Sequence, residues 1–372
     1  MQKYKKVATK PDFVIALIAI ALACFGVIMI ASASSVLAYD NFKGADNFYY
    51  VWRQLIYFVI GIVSMLVFSS IDYRSWKKVA MPLMVVTLLM LVAVFLPVVG
   101  RETKGAHRWL DLGFISFQPS EIAKVTFVIY IVSWLEARGR VMHKKELSLV
   151  PFAIILAIVS ILIINQPDLG TLTVILVTSI VLFYMAGAPK WQLFGFLGLL
   201  GGAFVVFITT RSYRMARFLT FLNPTSESQG SAYHINQLYL AVGSGGLWGL
   251  GFGKSLQKLK YLPEPHTDSI FAIICEELGY LRASLVVVAF AYFFARALKI
   301  ASCVPDTFGK LLAVGIATSL TVQAFINIAA VLGLVPLTGI TLPFVSFGGT
   351  SLIISFIQVG ILLNISRNVS YE

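Results

Sequence analysis

The sequence predicts an all-α polytopic membrane protein with about ten transmembrane helices. Its 372 residues are 58% hydrophobic and only 12% charged, whereas a soluble globular domain carries about 25% charged residues. The apolar residues fall into runs long enough to cross the hydrocarbon core, which takes about 20 helical residues. Short polar segments between the runs hold most of the charged residues. We therefore treat residues 1–372 as a single integral membrane domain.

The predicted spans follow one another along the whole chain. They begin near Phe13, Val51, Val79, Pro119, Leu149, Gly170, Trp191, Ser269, Phe308 and Pro343. The first span follows several lysines, as the apolar part of a signal peptide does, but its run is too long for one, so we expect an uncleaved helix. Residues 209–268 form a large predicted extracytoplasmic loop between helices 7 and 8.

The distribution of lysine and arginine predicts the orientation of these spans. Short cytoplasmic loops collect such residues during insertion, and the segments on the same side as the N-terminus hold most of them, among them Arg74, Lys144 and Arg367. Long loops cross the membrane regardless of charge, so the basic residues of the loop 209–268 do not reverse the assignment. Both termini are therefore predicted to be cytoplasmic.

Charge and composition also exclude several classes of function. The net charge of +12 would suggest nucleic acid in a soluble protein, but here it follows from membrane topology, so no nucleic-acid partner is expected. The chain has no phosphate-binding loop of the Walker type, so no nucleotide cofactor is expected and energy must come from the substrate or from a gradient. Three isolated cysteines predict neither a disulfide framework nor a zinc cluster.

Two segments of the large loop have unusual patterns. Arg211, Arg214 and Arg217 recur every three residues among apolar side chains, which fits either an interfacial helix on lipid headgroups or guanidinium groups that bind a lipid pyrophosphate. The segment Gly243–Gly253 is rich in glycine. No strand precedes it, so we interpret it as a tight re-entrant loop at membrane depth and not as a dinucleotide site.

A cluster of polar residues follows at the end of the large loop. Glu264, His266, Thr267 and Asp268 stand between two prolines and the next span. Thr267 or Asp268 could simply cap that helix, but capping does not explain the other charges, nor the pair Glu276 and Glu277 deeper in the span. A carboxylate here could serve as a general base, with a pKa set by desolvation and by nearby arginines.

A second cluster opens the fourth span. Glu121 and Lys124 are three residues apart, so they share a helix face, where pairing makes two charges tolerable in a membrane. Such a pair could contribute to the site or only lock two helices together. Arg108 precedes this span, and Asp168 stands at a later helix boundary, where a capping role is the stronger interpretation for Asp168 taken alone.

Taken together, these segments resemble the SEDS family of bacterial elongation, division and sporulation proteins, whose members include RodA, FtsW and SpoVE. Nearly the whole chain takes part, including Arg53 and Gln54 at the second span. The most specific blocks are residues 108–124, 166–171, 262–279 and 342–349. The stretch 258–264 resembles the division branch, FtsW, more than the elongation branch, RodA.

The resemblance implies a peptidoglycan glycosyltransferase with Asp268 as its catalytic residue. Its substrate would be lipid II, a polyprenyl-pyrophosphate-linked disaccharide pentapeptide, at the outer face of the bacterial cytoplasmic (inner) membrane. The implied partners are a class B penicillin-binding protein, which is a transpeptidase, and other divisome membrane proteins. A divalent cation, Mg or Mn, is also implied, although the sequence shows no metal-binding motif.

The residues suggest how such a reaction would proceed. Asp268 would take a proton from the acceptor hydroxyl, while Arg108, Arg214 and Arg217 would screen the departing pyrophosphate. The remaining predicted substrate-binding residues are Glu121, Lys124, Asp168, Glu264, His266 and Thr267. Rival hypotheses are a lipid II flippase, a polymerase of the RodA elongation type and a non-catalytic divisome scaffold, because broken helices and buried charges also suit transport.

Overall fold

The chain folds into a bundle of long helices with one small sheet. The computed structural model describes residues 11–41, 46–103, 106–111, 113, 116–139, 149–209, 215, 219–221 and 231–368. The helices, numbered along the chain, are α1 (Phe13–Ala33), α2 (Ser35–Asn41), α3 (Tyr49–Ser70), α4 (Ser75–Ala93), α5 (Pro119–Arg138), α6 (Leu149–Asn165), α7 (Leu169–Met185), α8 (Lys190–Thr209), α9 (Ser231–Ser244), α10 (Ile270–Cys303), α11 (Thr307–Val331) and α12 (Gly349–Ser366). The strands are β1 (Gly100–Thr103), β2 (Ala106–Asp111) and β3 (Ser116–Phe117), antiparallel in that order.

The long helices correspond to the predicted spans. Within the described part of the chain, six of them are long and apolar enough to cross a membrane, namely α1, α3, α4, α10, α11 and α12. Helices α6 and α7 are apolar but shorter, and α5 and α8 occupy the places of two further predicted spans. The polytopic prediction is therefore confirmed. The sheet lies in the polar segment between α4 and α5, for which the sequence predicted no strands.

One predicted boundary is wrong. The last span was expected to begin near Pro343, but α12 begins at Gly349. The intervening segment is not helical because other parts of the chain bind its polar groups. The side-chain amide of Gln54 donates to the carbonyl of Ser346 over 3.2 Å, and the Ser346 hydroxyl donates to the carbonyl of Thr267 over 2.6 Å.

Long-range hydrogen bonds place the helix ends at two opposite ends of the bundle. At the first, which we call the Asp306 end, the amide of Asp12 donates to the Ser366 hydroxyl over 2.9 Å, and Arg74 pairs with Asp306 at 3.2 Å. Helices α1, α4 and α11 begin there, and α3 and α12 finish there. The opposite, which we call the Asp268 end, contains the start of α10. Consecutive spans therefore alternate in direction.

Helix α11 is the buried centre of the bundle. It packs against α5, α7, α10 and α12, whereas α3 and α4 present many exposed apolar side chains, as lipid-facing helices do. Despite its burial, α11 carries the polar residues Gln323 and Asn327. Buried amides cost free energy unless they are hydrogen-bonded, so both residues indicate specific contacts, which are described below.

The glycine-rich segment turns tightly against α10, as predicted. Gly249 has a φ of +83°, and a Cβ at this position would lie 2.3 Å from the carbonyl oxygen of Glu277. The amide of Leu250, outside α10, donates to the carbonyl of Glu276, inside α10, over 3.0 Å. Gly279, with a φ of +78°, interrupts α10 at the same level. The glycines therefore permit a backbone-to-backbone contact that any side chain would block. The depth of this loop in a membrane stays a prediction.

Candidate functional site

The segment Pro263–Ser269, which we call the Asp268 loop, is held in place through its backbone carbonyls. The carbonyls of residues 266–268 each accept a hydrogen bond from the C-terminal part of the chain. In chain order, the donors are the amide of Phe347 at 2.9 Å, the hydroxyl of Ser346 at 2.6 Å and the side-chain amide of Asn327 at 2.8 Å. Three successive anchors leave this loop little freedom, although it has no regular secondary structure.

Three of the predicted site residues meet at the surface of this loop. The hydroxyl of Thr267 lies 3.0 Å from Oε2 of Glu264 and 3.3 Å from Oδ1 of Asp268, and all three side chains are partly exposed. Gly339 faces them, since a Cβ there would lie 3.9 Å from Oδ2 of Asp268. The structure thus brings two carboxylates to one hydroxyl, with a residue that has no side chain facing Asp268.

Capping does not account for Asp268. The N-cap of α10 is Ser269, whose side chain makes no capping hydrogen bond, so the alternative that Thr267 or Asp268 caps this helix is wrong. Glu264 has a φ of +51°, a left-handed conformation that costs a residue with a Cβ about 1 kcal/mol or more. Strain of this kind persists where surrounding contacts fix the backbone, and it is frequent at functional sites.

His266 supports the loop from within. Its side chain is only 5% exposed, and its ring centroid lies 4.6 Å from that of Tyr50 and 5.5 Å from that of Phe347. In this arrangement the imidazole packs the Asp268 loop against α3 and the segment before α12. The predicted contact of His266 with substrate stays a prediction.

Glu121 and Lys124 form the predicted ion pair. The Lys124 ammonium lies 2.8 Å from Oε2 of Glu121, and both side chains are buried. Lys124 also donates to the side-chain oxygen of Gln323 on α11, and the amide nitrogen of Gln323 donates to the carbonyl of Thr341 over 3.0 Å. The pair therefore joins α5 to α11 and, through Gln323, to the segment before α12, which agrees with a locking role.

Asp168 caps α7 and joins it to α5. Its carboxylate accepts hydrogen bonds from the amide of Thr171 at 3.1 Å, the hydroxyl of Ser120 at 2.8 Å and the side-chain amide of Gln118 at 3.1 Å. The side chain is buried. The capping interpretation of Asp168 is therefore confirmed, and a direct contact with substrate stays a prediction.

The predicted cation cluster is described only in part. Arg108, on β2, donates from Nε to the carbonyl of Gln166 over 3.0 Å and from a terminal nitrogen to the carbonyl of Pro167. It thereby ties the sheet to the turn before α7 and remains partly exposed. Arg214 and Arg217 lie outside the described residues. Pyrophosphate binding by the three arginines stays a prediction.

The partners of the two deeper glutamates were not predicted from the sequence. Glu277 is 0% exposed and lies 3.0 Å from the ammonium of Lys258, which also binds the carbonyl of Gly253. Glu276 accepts a hydrogen bond from the Ser255 hydroxyl at 2.5 Å. These glutamates therefore fasten the glycine-rich loop to α10. The lysine is 19 residues from Glu277, so helical spacing gave no signal for the pair.

The described residues do not form a metal cage. No three histidine, cysteine, aspartate or glutamate side chains among them converge so that they could hold a metal ion. Glu264 and Asp268 form a pair only, with their carboxylates on either side of the Thr267 hydroxyl. We therefore derive no step through a resident metal, and the implied Mg or Mn stays a prediction.

Fold and site together define a polytopic membrane protein with a fixed, partly exposed carboxylate at one end of its bundle. The chain belongs to the FtsW/RodA/SpoVE family, described as cell cycle proteins, which matches residues 12–371. It is 40% identical to stage V sporulation protein E of Bacillus subtilis (strain 168) over 98% of this chain and 99% of that protein. It is also 40% identical to the probable peptidoglycan glycosyltransferase FtsW of Geobacter sp. (strain M18), over 96% of this chain and 97% of the relative.

Solved structures have the same fold. The structure described as structural coordination of polymerization and crosslinking by a peptidoglycan synthase complex contains a chain that matches with a TM-score of 0.80 and 25% identity, over 96% of this chain and 98% of that one. Rod shape determining protein RodA of Thermus thermophilus matches with a TM-score of 0.70 and 27% identity, over 97% and 98% of the two chains.

Proposed function

We propose that this protein is a peptidoglycan glycosyltransferase that polymerises lipid II at the outer face of the bacterial cytoplasmic membrane. The observation that carries the proposal is Asp268, a partly exposed carboxylate on a loop with three consecutive anchored carbonyls. Full-length similarity to relatives named as probable peptidoglycan glycosyltransferases supports it. The family resemblance implies the same role for Asp268.

The proposed reaction needs one base and one activated sugar. Asp268 accepts the proton of the acceptor's 4-hydroxyl as that oxygen forms a bond to the anomeric carbon of the donor. The bond between this carbon and the lipid pyrophosphate breaks at the same time, and the pyrophosphate leaves with the electron pair. Attack opposite the leaving group inverts the configuration, for which a single basic carboxylate suffices because pyrophosphate needs no protonating acid. The lipid substrate itself supplies the energy.

The neighbouring residues have supporting roles in this proposal. Glu264 and Thr267 orient the Asp268 carboxylate through the shared hydroxyl. Arg108, Arg214 and Arg217 screen the pyrophosphate charge, since a guanidinium group binds phosphate oxygens with two parallel hydrogen bonds. We place Asp268 outside and both termini in the cytoplasm, in agreement with the basic residues at the Asp306 end, such as Arg74 and Arg296.

The proposed partner is a class B penicillin-binding protein, which crosslinks the new strand. The structural match to a peptidoglycan synthase complex supports this partnership. We assign the chain to the division branch and not to the elongation branch, with other divisome membrane proteins as further partners, because relatives named FtsW are 35–40% identical and RodA of Thermus thermophilus is 27% identical.

A flippase for lipid II is the second candidate. The interruption of α10 at Gly279 and the buried pair Lys124–Glu121 would suit a transporter. Ion pairs at the Asp306 end, Arg74 with Asp306 and Arg296 with Asp12, hold that end together and favour a polymerase open on one side. A flippase moves labelled lipid II between leaflets without joining sugars, whereas a polymerase makes long glycans from substrate on one face.

The test measures glycan formation from purified lipid II by wild type and Asp268→Asn, each with a class B penicillin-binding protein. We expect the variant to lose at least about a hundredfold in rate, the lower bound for removal of a general base. Asp40→Asn is the matched control, because Asp40 is an exposed carboxylate paired with Lys260. We expect the control to keep wild-type activity. Continued polymerisation by Asp268→Asn would refute the assignment.

A further inference from the structure

We propose that Asn327 is a positioning residue for Asp268, acting from the buried helix α11 through the backbone of the Asp268 loop. The inference rests on the proposed function, because it concerns the placement of the proposed base. Asn327 was not among the residues that the sequence analysis selected. It is 2% exposed, so substrate cannot reach it directly.

Asn327 joins two non-helical segments with a single nitrogen. Its Nδ2 donates to the carbonyl of Asp268 over 2.8 Å and to the carbonyl of Ile340 over 2.8 Å. A primary amide nitrogen carries two hydrogens, so each carbonyl receives one. Asp268 precedes α10, and Ile340 lies between α11 and α12. One side chain therefore fastens both segments to the central helix.

The anchor is rigid because of its position. Helix α11 is buried along most of its length, and an asparagine has only two side-chain torsions to fix. One helical turn earlier, Gln323 donates to the carbonyl of Thr341 over 3.0 Å. The residue after Ile340 is therefore held by the same face of α11, and the segment opposite Asp268 cannot shift independently.

This geometry is expected to affect the rate more than substrate binding. A general base must lie within hydrogen-bonding distance of the proton that it removes, and a misplacement of about 1 Å can cost a hundredfold in rate. Loss of the Asn327 amide would release the Asp268 carbonyl and leave two carbonyls without their donor. Of the three arginines proposed to bind the lipid pyrophosphate, Arg108 is the one that the structure describes, and its guanidinium donates to the carbonyls of Gln166 and Pro167. We therefore expect kcat to fall while KM for lipid II stays nearly constant.

A second asparagine provides a matched control for loss of stability alone. Asn364, on α12, is buried and also bridges a loop to a helix. Its Oδ1 accepts the amide of Tyr73 at 2.8 Å, and its Nδ2 donates to the carbonyl of Ser69 over 2.9 Å. It lies at the Asp306 end, far from the proposed base. A merely structural asparagine at position 327 should behave like Asn364 when replaced.

The experiment compares Asn327→Ala, Asn327→Asp and Asn364→Ala with wild type and Asp268→Asn, all with the class B partner. Asn327→Asp nearly keeps the side-chain volume but removes the two-proton donor, so it tests the proposal even if the alanine variant does not fold. Measured quantities are kcat and KM per folded protein, and hydrogen exchange of residues 263–269. We expect kcat about 10- to 100-fold lower in both Asn327 variants, KM within about twofold and faster exchange. Asn364→Ala should leave all three at wild-type values.

Two results would overturn this inference and leave the proposed function intact. One is a kcat within about twofold of wild type in both folded Asn327 variants, and the other is an equal fall in kcat for Asn364→Ala. A different result, wild type that makes no glycan or Asp268→Asn that does, would remove the proposed function and this inference with it.

Discussion

Breaking the buried pair of Lys258 and Glu277 should strongly destabilise the packing of the segment before α10 against this helix. Replacing Lys258 with methionine keeps the apolar stem but removes the charge that faces Glu277, which is 0% exposed. The Ser32 hydroxyl would remain, at 2.7 Å from that carboxylate. Removal of one partner from a buried ion pair lowers the free energy of unfolding by about 3 to 5 kcal/mol, because the other charge is left uncompensated.

A cysteine provides the assay. Cys275 is buried beside Glu276, and its carbonyl oxygen lies where Gly245 packs against α10. With Cys24 and Cys303 changed to serine, the rate of thiol labelling reports the opening of this region. A loss of about 3 kcal/mol corresponds to roughly a hundredfold rise in the open population. We therefore expect Lys258→Met to raise the labelling rate of Cys275 by about that factor.

The neighbouring lysine supplies the matched control. Lys260 pairs with Asp40 at 2.6 Å, but its side chain is 63% exposed, and exposed pairs contribute about 0 to 1 kcal/mol. Lys260→Met should therefore change the labelling rate by less than about fivefold. The double variant Lys258→Met with Glu277→Gln should recover most of the protection, since no buried charge remains. Labelling of Lys258→Met within about threefold of its parent would refute the reasoning.

Three further predictions concern other regions. Burial and the Asp306 carboxylate raise the pKa of Tyr73, so its protonated phenol stabilises the fold until the pH rises above the ordinary tyrosine value of 10.0. In thermal unfolding, the midpoint of wild type should fall above that pH, and the midpoint of Tyr73→Phe should fall less. An equal fall of the two midpoints with pH would contradict this prediction. Asp168→Ala removes the cap of α7 and should lower the free energy of unfolding by about 1 to 2 kcal/mol in denaturant titrations, where an unchanged midpoint would count against it. Trp248, 67% exposed in the glycine-rich loop, should be quenched by lipids with brominated acyl chains if this loop enters the membrane. Equal quenching in wild type and Trp248→Phe would place the loop outside the hydrocarbon.

Local patterns in the sequence predicted much of the fold. The runs of apolar residues gave most helix starts to within a few residues, because a span must satisfy its backbone internally over a length fixed by the bilayer. Helical spacing gave the Glu121–Lys124 pair, whose atoms are brought together by one turn of α5. The glycines of the segment 243–253 predicted a tight turn for the same kind of local reason.

The residues of the Asp268 loop were predictable from the sequence, but the contacts that hold this loop in place were not. The family resemblance singled out Asp268 and the block 342–349, which contains Ser346, but it did not indicate that Ser346 holds the Asp268 loop, and it did not select Asn327. Asn327 and Ser346 are 59 and 79 residues away from the residues they hold. No periodicity connects positions so far apart. The start of α12 at Gly349 escaped prediction for the same reason, because the segment before it is held by Gln54 from α3.

The amino-acid sequence by itself determined that this chain spans a membrane, where its helices run and which family it resembles, because each of these depends on composition, local spacing or short motifs. Only the tertiary structure decided that Lys258 neutralises Glu277 and how the Asp268 loop is anchored. Burial makes every unpaired charge or amide costly, and the partners that remove this cost are brought together by packing between helices that are distant in the sequence.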